Sequence, residues 1–136
     1  MLRKCRLMLV DDDASIRRVL REYFALAPGD FEVVAEAVDG FDAVEKAASV
    51  KPDVILMDVR MPRMDGIEAT RRIKRELGLG AAVVTVTSCD WAEIQEEARA
   101  AGSEFYVRKP FDLARVAEAI EEARAAARRL TTAAYG

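Results

Sequence analysis

"LMLVDDDAS", residues 7–15, decides how the rest of the chain is read. Four apolar residues run without interruption into Asp11, Asp12 and Asp13, and the next basic side chain is Arg17. Unbroken rather than alternating apolarity suits a strand covered on both faces, as in a parallel sheet. Three adjacent acids at the end of such a strand are costly. Two carboxylates about 4 Å apart repel by roughly 4 kcal/mol at an effective dielectric near 20. A divalent cation is the natural relief.

Working outward, the same kind of run recurs at 31–37 (FEVVAEA), 53–57 (DVILM), 82–87 (AVVTVT) and 104–107 (EFYV), the first of the series being 6–10 (RLMLV). Helical periodicity fills the gaps. Ile16, Val19, Leu20, Tyr23 and Phe24 share one face, as do Trp91, Ile94, Ala98 and Ala101. Asp13, Asp39, Asp65 and Asp112 stand where helix N-caps belong, Asp90 and Glu93 have capping-box spacing, and Gly78 and Gly102 stand where helices should stop. Five strands alternating with five helices predict an α/β fold, a doubly wound parallel sheet built from right-handed βαβ units. The last helix is expected from Asp112 to Leu130, giving one domain over 1–130 and a short tail over 131–136.

Composition narrows the classes. The chain has 136 residues, half of them apolar, enough for one core without disulfides or structural metal. Its net charge is −3, and its basic residues are scattered apart from Arg124, Arg128 and Arg129, which suit a helix C-terminus. Neither a nucleic-acid nor an anionic-membrane surface is expected. There is no histidine, and Cys5 and Cys89 lack CxxC spacing, which argues against zinc and against a disulfide framework. No apolar run reaches membrane-spanning length and no signal peptide is read, so the expected location is cytoplasmic.

Open α/β sheets bind ligands beyond the carboxyl ends of their strands. Those ends carry Asp11, Asp12 and Asp13, then Asp58, then Thr87 and Ser88, then Arg108 and Lys109. Oxygen ligands without His or Cys select Mg²⁺, with Mn²⁺ as a substitute. An aspartate beside such an ion can act as a nucleophile towards phosphorus, with a lysine and a hydroxyl neutralising the transferred oxygens. Asp58, Lys109 and Thr87 are the residues available for it.

Four blocks, "LVDDDASIRRVL" (9–20), "VILMDVRMPRMDG" (54–66), "VVTVTS" (83–88) and "YVRKPF" (106–111), together resemble the response-regulator receiver domain over nearly the whole chain. The resemblance implies a flavodoxin-like sheet of order 2-1-3-4-5. It implies that Asp58 is the phosphoacceptor, that Asp12 binds Mg²⁺ directly and Asp11 through water, and that the Arg60 backbone carbonyl is a further ligand. It casts Lys109 as the phosphate contact, followed by a cis Pro110, and Thr87 with Tyr106 as the switch that alters the surface of helix 4, strand 5 and helix 5. The implied phosphodonor is a histidine kinase or phosphotransfer protein. The implied output is a downstream protein or an output domain outside this sequence, with the chain monomeric or dimerising on phosphorylation. Only self-catalysed phosphorylation and dephosphorylation is expected of it, not turnover of a substrate. Arg60 and Cys89 occupy positions that tune phosphoryl lifetime in this family, and neither can position an attacking water, so slow self-dephosphorylation is expected.

Two rival readings remain on the residues alone. Asp11-x-Asp13 also resembles the first motif of haloacid dehalogenase-type phosphatases, with Asp11 as nucleophile, Thr87 or Ser88 as second motif and Lys109 as third. That parse leaves "VILMDVRMPRMDG" unexplained. The other rival is a receiver-like binding module that works without phosphorylation.

Overall fold

The structure, a computed structural model, describes residues 3–88 and 91–135, with 128–135 as backbone only. The elements run β1 (Cys5–Val10), α1 (Ala14–Leu26), β2 (Phe31–Ala37), α2 (Gly40–Val50), β3 (Val54–Asp58), α3 (Gly66–Arg71), β4 (Ala82–Thr87), α4 (Trp91–Ala101), β5 (Phe105–Arg108) and α5 (Leu113–Tyr135). A single π-helical turn, Arg72–Glu76, continues α3. The strands are all parallel and ordered β2-β1-β3-β4-β5.

The apolar runs lack alternation because neighbouring residues of each central strand feed different cores. Leu7, Leu9, Leu56, Val84 and Val86 face α1 and α5, where they meet Leu20, Phe24, Val116 and Ile120. Met8, Val10, Ile55, Met57 and Val83 face the other way, onto Ala43 and Ala47 of α2, Ala69 of α3 and Ile73 of the π-helical turn that continues it. Small alanines on the second side let those helices lie close to the sheet. The edge strands β2 and β5 are less completely covered, with Glu32 and Arg108 exposed.

Helix boundaries follow local chemistry. Asp13, Asp39 and Asp65 cap α1, α2 and α3 by accepting the N–H of Ser15, Asp42 and Glu68, and Asp112 accepts the N–H of Arg115 at the start of α5. Gly78 (φ 62°) and Gly102 (φ 117°) take the left-handed conformation after a helix. The capping reading of Asp90 lies outside the described residues. Two expectations are corrected. The last helix passes Leu130 and continues to Tyr135. Consequently Arg124 is not at a helix terminus: it is buried, and its guanidinium donates to the carbonyls of Gly29 (3.0 Å) and Arg3 (2.7 Å), tying α5 to the segment ahead of β1 and to the loop before β2.

Parallel register then sets up the functional edge. Val10 lies opposite Met57, so Asp11 and Asp58, each one residue further on, come level with each other. Thr87 lies opposite Arg108, which places Lys109 just beyond it.

Replacing the fully buried Ile120 by Ala should lower the stability measured by urea unfolding by about 2–5 kcal/mol. Leu26→Ala, at a side chain 88% exposed, should stay within about 0.5 kcal/mol of the parent.

Candidate functional site

Asp11 leaves β1 buried, its carboxylate accepting the N–H of Asp13 (2.9 Å) and the ammonium of Lys109 (3.2 Å). Its own carbonyl accepts from Arg17 Nη1 (2.6 Å), which holds the turn into α1. Asp12, next along, is exposed. Asp58 ends β3, also buried, with Lys109 Nζ at 3.1 Å. Lys109 reaches both carboxylates because its backbone N–H is fastened to the carbonyl of Thr87 (2.8 Å), and the Lys109–Pro110 peptide is cis, as the family resemblance implies.

Asp11, Asp12 and Asp58 each offer a carboxylate oxygen, and these oxygens all lie within 4.8 Å of one another. One ammonium shared between two of them leaves the cluster short of positive charge. The shortage shows on Asp58: burial, and then the charge of Asp11, push its pKa from 3.8 up to about 6, although Lys109 pulls the other way. Burial works against the Lys109 ammonium too, but the charge and hydrogen bonds of Asp58 and Asp11 outweigh it and raise its pKa. A compact, all-oxygen, acid-rich set of this kind fits a hard divalent cation such as Mg²⁺.

The structure thus brings together Asp11, Asp12, Asp58 and Lys109. Thr87 is buried at the end of β4 beside them, and Arg60 lies in the loop two residues beyond Asp58. Tyr106 is partly buried, and its hydroxyl donates to the carbonyl of Ser103 (2.8 Å). Asp13 does not join the cluster. Its side chain is exposed and caps α1, so the Asp11-x-Asp13 phosphatase parse loses its second acid. Trp91 is half-buried at the start of α4, with the Arg108 guanidinium 5.7 Å from its ring centre. Cys89 lies outside the described residues.

Sequence reasoning missed two glycines. A Cβ at Gly66 would collide with the carbonyl of Asp58, and one at Gly40 would sit 2.5 Å from the carbonyl of Met64. The first lets α3 begin directly behind Asp58, and the second lets α2 abut the loop between them. The Asp-Gly dipeptides at 39–40 and 65–66 were the available signal, but turn chemistry alone accounts for such pairs.

A 2-1-3-4-5 parallel sheet with acids, a hydroxyl and a lysine on its carboxyl edge places the chain among the flavodoxin-like receiver folds. The model of the response regulator receiver domain matches residues 7–121, and the chain belongs to that family of two-component systems. It is 39% identical over 117 residues to the chemotaxis protein CheY of Halobacterium salinarum, covering 86% of this chain and 94% of that one. It is also 39% identical over 107 residues to protein-glutamate methylesterase/protein-glutamine glutaminase 1 of Geobacter sulfurreducens, covering 79% of this chain but only 29% of that relative's length. The crystal structure of the response regulator domain of Thermotoga maritima CheB superposes with a TM-score of 0.80 at 39% identity, covering 93% of this chain and 98% of that one. Receiver domains are signalling phosphoacceptors and bind Mg²⁺ at an acidic pocket. Among the described residues, no helix is long and apolar enough to cross a membrane.

Because Asp58 holds its proton more tightly folded than unfolded, its contribution to stability is greatest below about pH 4 and is lost as pH rises through about 6. Without divalent metal, the stability of the parent relative to Asp58→Asn should therefore fall by about 2 kcal/mol between pH 4 and pH 8. Urea midpoints of the two proteins across that range measure it. A flat difference would contradict the electrostatic account.

Proposed function

We propose that the chain accepts a phosphoryl group on Asp58 from a phosphohistidine of a partner kinase or phosphotransfer protein, and passes the signal on through an altered protein-binding surface. The observation that carries this reading is the gathering of three carboxylates and one ammonium on the carboxyl edge of a receiver fold. An Asp58 oxygen attacks phosphorus as the P–N bond to the donor imidazole breaks, giving an acyl phosphate and a released imidazole that takes up a proton. Lys109, already at 3.1 Å from Asp58, neutralises an incoming phosphoryl oxygen. Asp11, Asp12, Asp58 and the Arg60 carbonyl would hold Mg²⁺, which would supply the remaining positive charge for the phosphoryl oxygens. Asp12 suits direct ligation: both Asp11 oxygens have partners within the protein, whereas Asp12 accepts no hydrogen bond among the described residues.

Phosphorylation then adds charge and acceptor oxygens at one fixed point. Thr87, buried at the neighbouring strand end, is placed to be drawn towards them. Tyr106 lies two residues before Arg108, which pairs with Thr87 across the sheet, so a shift of Thr87 reaches the surface formed by α4, β5 and α5. The output is a downstream protein or a domain outside this sequence.

Incubation with Mg²⁺ and a radiolabelled small-molecule phosphodonor should label the protein stoichiometrically. Asp58→Ala or a chelator should remove the label, and Lys109→Ala should slow labelling by about 10²-fold or more. Catalytic turnover of a phosphate ester with no stable label would overturn the reading. Trp91, the single tryptophan, should report the switch. Its emission should change on phosphorylation, because Arg108 sits over its ring and next to Lys109, and Thr87→Ala should reduce that change while leaving the label in place.

A further inference from the structure

The loop from Val59 to Asp65 carries Arg60, and three fastenings among the described residues bear on its position. At its start the Val59 N–H donates to the Val86 carbonyl (3.1 Å), and at its end the Gly66 N–H donates back to the Val59 carbonyl (2.8 Å). The third fastening is in the middle and comes from a different part of the chain. Asp39, which caps α2, is buried and accepts the N–H of Asp42 (2.8 Å) together with Nε (2.8 Å) and Nη2 of Arg63. The next residue, Gly40, donates its N–H to the Met64 carbonyl (2.9 Å) across a gap that admits no Cβ. Arg63 meets Asp39 from a left-handed backbone (φ 68°), a conformation that non-glycine residues adopt only against a penalty. The Met64 N–H donates to the Pro62 carbonyl (2.8 Å) across Arg63, a three-residue turn that goes with this backbone and sends the 67% exposed Arg63 side chain towards Asp39.

We propose that Asp39 and Arg63 are positioning residues for the acidic site: their pair, with the Gly40–Met64 contact, pins the loop behind Asp58 and so holds the Arg60 carbonyl in place, an inference that rests on the phosphoacceptor reading above. Without the pair, the loop keeps the Val59, Met64 and Gly66 backbone hydrogen bonds but loses its tie to Asp39, so its middle gains freedom. A ligand carried on a looser loop loses more freedom on binding, so the cost appears as weaker metal affinity rather than as slower chemistry once the metal is bound.

The test uses Asp39→Asn, which keeps a good capping side chain for α2, and Arg63→Met, which leaves the core untouched. The Mg²⁺ concentration for half-maximal labelling of Asp58, and for half-maximal change in Trp91 emission without phosphodonor, should rise by about tenfold or more in each variant. The labelling rate at saturating Mg²⁺ should stay within about twofold of the parent, and the double variant should be no weaker than either single one. In metal-free protein, amide exchange at Met61 and Arg63 should quicken, and Arg63→Lys should recover most of the affinity. Unchanged half-saturation in both single variants, or losses that add in the double variant, would overturn the role of the pair. A parent protein with no Mg²⁺ dependence would instead remove the phosphoacceptor reading beneath it.

Discussion

Two adjacent parallel strands, β1 and β3, end level with each other, and both end in aspartate. Asp11 and Asp58 are therefore forced together at the sheet edge, with Asp12 close by and only Lys109 to offset them. Neither buried acid can move away, since each is the continuation of a strand whose preceding residues are completely covered on both faces. A rigid two-sided core thus holds an electrostatic imbalance that a flexible loop would relax. The imbalance is local: among the described residues, no buried side-chain nitrogen or oxygen lacks a hydrogen-bond partner.

The shape around the cluster agrees with that chemistry. Beneath Asp11 and Asp58 the packing is tight: the void that Leu20, Leu56 and Phe111 leave there amounts to about 10 Å³. A cavity of about 590 Å³, bordered by Arg3, Lys51, Leu79 and Arg124, lies at the opposite, amino-terminal ends of the strands. The exposed Asp12 leaves the acidic edge open to groups presented from outside.

Order around the site depends on contacts between segments far apart in sequence. Lys109 reaches Asp11 across 98 residues, and Arg63 reaches Asp39 across 24. The buried pairing of Thr85 with Ser103, whose hydroxyl also donates to Val83, ties β4 to the turn before β5 in the same manner. None of these pairings has a periodic signature, so none could be read from spacing. Arg124 shows how far position alone can mislead: among alanines near the end of the chain it resembles a solvated charge at a helix terminus. The longer helix and two distant carbonyls make it a buried clamp.

By itself, the sequence determined the alternation of strands and helices, the caps at Asp13, Asp39, Asp65 and Asp112, and the collection of acids, hydroxyl and lysine at strand ends. All of these depend on interactions within a few residues or on a hydrophobic period, and both are written locally. Only the tertiary structure decided how close Asp11, Asp12 and Asp58 come, that burial and a neighbouring charge raise the pKa of Asp58, and that Asp39 and Arg63 fasten the loop behind it. Strand register and helix packing fix those distances, and the energies of charges and close contacts change steeply over a few ångströms that no local pattern specifies.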